Sequence, residues 1–188
     1  MALVVLLRGV NVGGHKTFRP TALTKRLKHL DVLNIGAAGT FVIRKPITQA
    51  RLRAEITRRL AFETQIVIFE GWEILALMAK NPFAHQPIRP NVVRFVSVLS
   101  KRPRLHPSLP VVFPSGGRWL LRILARTNRF VVGEYRRDMK VIGYLGTIDR
   151  LFGVPVTTRN WNTITAIAKA LDTRGTSTSH KHPRISKR

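Results

Sequence analysis

The chain has 188 residues, enough for one domain or two small subdomains, and 44% of them are hydrophobic, which argues against wholesale disorder. It contains no cysteine, so a disulfide framework, a thiolate metal site and a cysteine nucleophile are all excluded. Its 33 basic residues face 9 acidic ones, a net charge of +24 that attracts nucleic acid, anionic surfaces and phosphorylated ligands.

Residues 2–7 are a continuous apolar run of the kind found in strands buried on both faces. Arg8 cuts the run off too early for a signal peptide, and no apolar stretch approaches the roughly 20 residues that cross a bilayer. The expectation is a soluble cytoplasmic protein. Pro20 opens a helix whose buried face is Ala22, Leu23, Leu27 and Leu30. Residues 32–35 and 40–44 read as strands joined by the glycine-bearing turn 36–39. Leu52, Ile56 and Leu60 repeat at helical spacing, and residues 65–69 form a further strand. This is a β-α-β-β-α-β order, the ferredoxin-like arrangement.

In the second half, a helix over residues 72–78 stops before Asn81-Pro82-Phe83, because the residue ahead of a proline disfavours helix. Val92–Leu99 is a strand, and the proline-rich residues 101–114 are expected to be a loop. Residues 119–124 and 130–134 read as a hairpin, and Val141–Leu145 as another strand. Thr147 is placed to cap a helical turn ending at Gly153, and residues 154–157 form a short strand. Trp161, Ile164, Ile167, Ala168 and Leu171 make the buried face of a last helix. The fold class is therefore α+β. Residues 1–70 form a ferredoxin-like subdomain, 71–172 a smaller α+β subdomain, and 173–188 a disordered basic tail.

"LLRGVNVGGHKT", residues 6–17, nearly spells a phosphate-binding P-loop. Gly9 and Gly14 have the right separation, but His15 stands where the lysine must be, and Lys16 and Thr17 come one residue late. No strand ends in an aspartate suited to magnesium. The loop is not an NTPase loop.

"LLRGVNVGG" (6–14), "NPF" (81–83) and "TTRNWNT" (157–163), in this order, resemble the bacterial family called domain of unknown function 1697. The resemblance runs over about residues 2–171. It implies an α+β fold with a ferredoxin-like first half and no established activity. One departure concerns the turn 35–40, where many relatives carry polar Gln, Ser and Asn side chains. Here the turn reads Ile-Gly-Ala-Ala-Gly-Thr, which lacks those side chains and keeps Gly39.

No catalytic set is assigned, nor any metal or cofactor. His15, His29, His85 and His106 show no ligand spacing and read as solvated loop residues. No Gly-x-Ser-x-Gly elbow is present. RNA-recognition modules share the β-α-β-β-α-β order and stack bases on strand aromatics, yet residues 2–7 hold none and residues 40–44 hold only Phe41, which reads as core. The helix around residues 52–60 carries Arg51, Arg53, Arg58 and Arg59, a groove or phosphate candidate that is also compatible with the solvated back of an amphipathic helix.

Two functional readings follow. In the first, a small anionic or phosphorylated ligand sits between the 6–14 loop and the start of the last helix. Arg8, Asn11, Gly13 and Gly14 form one wall, and Thr158, Arg159 and Asn160 the other. In the second, the arginine-rich surface binds polyanions such as nucleic acid non-specifically. Removing the tail takes away only +5 and leaves +19 on the remainder. Arginine outnumbers lysine 23 to 10, a bias that GC-rich coding also leaves on a solvated surface. Neither reading involves a membrane, and the oligomeric state is not legible.

Overall fold

A computed structural model describes residues 1–11 and 18–172 of the chain. Gly13, Gly14 and the basic tail 173–188 lie outside the described residues.

Strand β1 (Leu3–Leu7) has no polar residue, and all five of its side chains are buried. Its two-residue period sends Val4 and Leu6 into one core and Leu3, Val5 and Leu7 into another. Helix α1 (Pro20–Arg26) opens on its proline and continues into a 3-10 turn over Lys28–Leu30. Leu23, Leu27 and Leu30 are buried as expected, whereas Ala22 is exposed. Strands β2 (Val32–Asn34) and β3 (Thr40–Ile43) flank the glycine turn, α2 (Gln49–Arg59) is capped by Thr48, and β4 (Ile66–Glu70) completes the unit. The sheet order is β2-β3-β1-β4, antiparallel throughout, with β3 between the first two strands of the chain.

Gly39 (φ +66°) is required by its surroundings. A Cβ there would lie 2.8 Å from that of Leu7 and 2.9 Å from a methyl of Val10, both in the interior. Gly39→Ala is expected to cost roughly 1–3 kcal/mol, combining overpacking with a left-handed backbone. A shift of the urea midpoint at unchanged m-value would register it.

A capping box between Glu70 and Glu73 starts helix α3 (Gly71–Ala79). Strands β5 (Val92–Leu99), β6 (Val111–Phe113), β7 (Leu121–Thr127), β8 (Phe130–Arg136) and β9 (Val156–Asn160) build the second antiparallel sheet, in the order β6-β7-β8-β5-β9. Helices α4 (Val141–Leu145) and α5 (Ile148–Phe152) precede β9, and α6 (Trp161–Asp172) follows it without a break. One core joins the two sheets. Val4, Leu6 and Phe69 meet Val96, Val98, Phe130 and Val132 there, with Ile74 of α3 and Ile164 and Ile167 of α6. The outer face of the first sheet is covered by α1 and α2, and that of the second by α4 and α5. Among the described residues no helix is long and apolar enough to cross a membrane.

Four expectations for the second half need correction. Thr147 precedes α5 without a side-chain cap, its hydroxyl donating instead to the Tyr144 carbonyl at 2.7 Å. The proline-rich segment is not all loop, because β6 pairs Val111 with Ile123 inside it. Val141–Leu145 is helical rather than extended. Val141 and Ile148 are buried while Ile142 is 64% exposed, so burial follows a turn of helix and not alternation. The last strand begins two residues later than expected and runs on to Asn160, which places Thr158 and Arg159 within the sheet.

Candidate functional site

Alternation along β9 decides what its motif residues do. Thr158 lies opposite Ser97 and shares a 2.7 Å hydrogen bond with its hydroxyl. Arg159, opposite Val96, faces the core between the two sheets and is only 9% exposed. Its Nε donates to Thr40 Oγ1 at 2.7 Å and its Nη1 to the Thr158 carbonyl at 2.8 Å. Nη2 donates to the carbonyls of Leu7 at 2.8 Å and Ala38 at 2.6 Å. The guanidinium thus joins the last strand to the end of β1 and to the β2–β3 turn, and its bonds run to oxygens that carry no formal charge. Desolvation by burial lowers its pKa to about 10. At neutral pH it is protonated in the folded and the unfolded chain alike. Only between about pH 10 and the ordinary arginine range does the unfolded chain hold the extra proton, so this group's contribution to stability is flat below that window and rises with pH within it.

Arg8 makes a second tie between the halves. It bonds the Asp149 carboxylate on α5 and reaches Gln65 Oε1 at 3.5 Å. Asp149 in turn accepts the Val156 amide at 3.0 Å, where β9 starts. Asn11, at φ +56°, donates to the carbonyls of Phe18 (2.9 Å) and Ala37 (2.7 Å) and accepts from the Phe18 amide (2.8 Å). It therefore fastens both ends of the glycine loop to the β2–β3 turn.

The three sequence motifs do meet, along β9 and its junction with α6. Arg159 touches the first through the Leu7 carbonyl, and Trp161 packs edge-on against Phe83 of "NPF" at 4.9 Å. The anion fork expected from Arg8 and Arg159 is corrected, however, because the donors of Arg159 are occupied by backbone and Arg8 is held by a carboxylate. Thr158, within the strand, is held by Ser97 rather than facing an anion, and it does not cap the helix. Asn160 does, its Oδ1 accepting the Thr163 amide at 2.8 Å.

On the far side of Asn160 lies a cavity of about 570 Å³. Arg89, Arg94, Arg137, Tyr135, Trp161 and Asn162 line it together with Asn160, and no carboxylate is in the lining. Arg89 and Arg137 are exposed. Arg94 is held on Glu134 at 3.5 Å, with its guanidinium 5.2 Å from the Phe83 ring. Burial raises the pKa of the Tyr135 phenol, partly opposed by Arg137, so its hydroxyl stays a neutral donor at pH 7. Glu134, 1% exposed, is also bonded by Arg122. The Arg122 and Arg136 guanidiniums each stand 4.3 Å from the Trp119 ring centroid. Desolvation, and then repulsion from Arg118, Arg89 and Arg122, lowers the pKa of Arg136. Sequence reading missed this cluster, since its members come from four separated segments and share no spacing.

The arginines of α2 are largely engaged with protein. Arg51 and Arg59 lie 3.9 and 3.3 Å from the buried Glu55 carboxylate, and Arg53 donates to the Ile66 carbonyl at 2.6 Å. Arg58 is exposed. His29 is not a lone solvated histidine, because its Nε2 lies 3.1 Å from Glu55 Oε2 beside a cavity of about 730 Å³.

Residues 1–108 match the family model described as a protein of unknown function, DUF1697. Among solved structures, the chain resembles that of a conserved bacterial protein, SP0830, from Streptococcus pneumoniae. The TM-score is 0.59 at 13% identity, over 90% of this chain and 98% of that one, a likeness of fold. No curated protein matches the chain. With its first motif and more than half its length inside the family model, the chain belongs to the DUF1697 family of proteins of unknown function.

Proposed function

We propose that the protein binds a small anionic or phosphorylated ligand in the cavity beside Asn160. The observation that carries the reading is the convergence of Arg89, Arg94 and Arg137 on a cavity without a lining carboxylate, at the start of the "TTRNWNT" helix. Of the residues first expected to hold the anion, Asn160 keeps its place in this site. The ligand's charge falls instead to Arg89 and Arg137, whose guanidiniums suit phosphate or carboxylate oxygens and contribute about 1.5–3 kcal/mol per charge-assisted bond. The neutral Tyr135 hydroxyl and the Asn162 amide supply further hydrogen bonds. Calorimetric titration with pyrophosphate at low salt tests the reading. Arg89→Ala and Arg137→Ala should each weaken binding about tenfold or more at unchanged melting temperature. No heat for the wild type, or wild-type affinity retained in both variants, would overturn it.

A second reading, non-specific polyanion binding, is favoured by the arginines around Trp119, which extend the basic surface beyond the cavity. If about five duplex phosphates are neutralised, log affinity should fall against log salt with a slope near −4.5. Deleting residues 173–188 should reduce that slope without abolishing binding. A protein that fails to bind duplex even at low salt removes this reading.

A further inference from the structure

The cavity beside Asn160 is one end of a longer basic track. Arg89, Arg94 and Arg137 line it, and Arg136, Arg122 and Arg118 continue it around Trp119. Arg89 is the joint, because it lines the cavity and is also one of the charges felt by Arg136. Against these six arginines stands Glu134, which is paired with Arg94 and Arg122. A single phosphate carries about −2 at most and would leave most of this excess unneutralised. The track is longer than a small anion needs.

The cavity walls also carry chemistry that a bare phosphate does not use. Trp161 and Tyr135 are only half-buried and present aromatic surface. Asn162 offers a carboxamide, and Asn160, with its oxygen on the helix cap, keeps its amide nitrogen as a donor. Planar rings and amides beside a line of cations are how proteins hold an unstacked base and the backbone attached to it. The first sheet offers no such platform. Both its faces are covered, and Phe41 is 1% exposed.

Resting on the reading that this cavity takes an anion, we infer that its ligand is single-stranded nucleic acid. One unstacked base enters the cavity against Trp161 and Tyr135, and the flanking phosphates lie on Arg89, Arg137, Arg136 and Arg118. A duplex keeps its bases inside the stack and meets the outer arginines alone.

The test is fluorescence anisotropy of the full chain, at about 50 mM salt. The probes are labelled oligothymidylate and oligouridylate about 12 nucleotides long and a duplex of equal length. The single strands should bind about tenfold tighter than the duplex, since stacking one base on an aromatic side chain is of that order. The two single strands separate DNA from RNA as the source of the same chemistry. Arg118→Ala combined with Arg136→Ala should flatten the single-strand salt slope by about 1.4 and weaken pyrophosphate far less than Arg89→Ala does. Trp161 also packs on Phe83, so Trp161→Phe, which keeps a smaller ring there, is paired with Asn162→Ala, and each should lower the preference for single strands without changing duplex affinity. A duplex that binds as tightly as the single strands overturns the inference. So does pyrophosphate binding, sensitive to Arg89 and Arg137, without any oligonucleotide binding, although the anion reading then stands. Failure of both pyrophosphate and oligonucleotides removes both.

Discussion

Replacing Arg159 by alanine is expected to lower the free energy of unfolding by roughly 3–5 kcal/mol, the scale on which removing one member of a buried ionic or charge-assisted network acts. The variant strands the Leu7 and Ala38 carbonyls and the Thr40 hydroxyl without their donor, and leaves a gap between the sheets. Arg159→Lys keeps the charge but cannot reach both carbonyls and the hydroxyl from one flat fork, so it should recover only part of the loss. Arg8→Ala is the internal comparison. Its ion pair with Asp149 is 40% and 28% exposed, so its loss should stay below about 1 kcal/mol. Urea denaturation followed by circular dichroism ranks the three variants. If Arg159→Ala proves no worse than Arg8→Ala, the guanidinium is not what ties the sheets together.

Glu134→Gln should move stability and affinity in opposite directions. The carboxylate is 1% exposed and shared by Arg94 and Arg122, so neutralising it leaves two guanidiniums facing a neutral amide. A loss of about 3 kcal/mol is expected, at the lower end for a broken buried pair because both guanidiniums still reach water. The same change removes the negative charge that offsets the track, so oligonucleotide binding measured below the melting temperature should tighten and its salt dependence steepen. A purely structural arginine cluster would show the destabilisation without the gain in binding.

What was legible in the sequence was whatever local pattern determines. The unbroken apolar run of β1 and the long apolar strand β5 need both faces covered, and the spacing of Leu52 and Ile56 requires a helix. The short apolar run of α4 defeated the same reasoning, since five residues fit a strand or a helix turn equally well until a partner is seen. The site was harder still. Motif spacing pointed to the junction of β9 and α6, but the role of Arg159 depends on a carbonyl 152 positions away. His29 and Glu55 stand 26 residues apart, and the two arginines paired with Glu134 come from separate strands. Such groupings follow from sheet order, which no single segment encodes.

The core shared by the two sheets also has a meaning in time. As the chain leaves the ribosome, the first sheet is complete once Glu70 has emerged, yet the face carrying Val4, Leu6, Val42, Val67 and Phe69 has nothing to rest against. Its cover comes from β5, β8 and finally α6, whose Ile164 and Ile167 are made long after Glu70. At about 5–20 residues per second, that face stays open to water for roughly 5–20 seconds of synthesis. Nascent chains stalled before β9 should therefore be sticky, protease-sensitive and dependent on holding factors, whereas chains that have passed α6 let Arg159 close the seam.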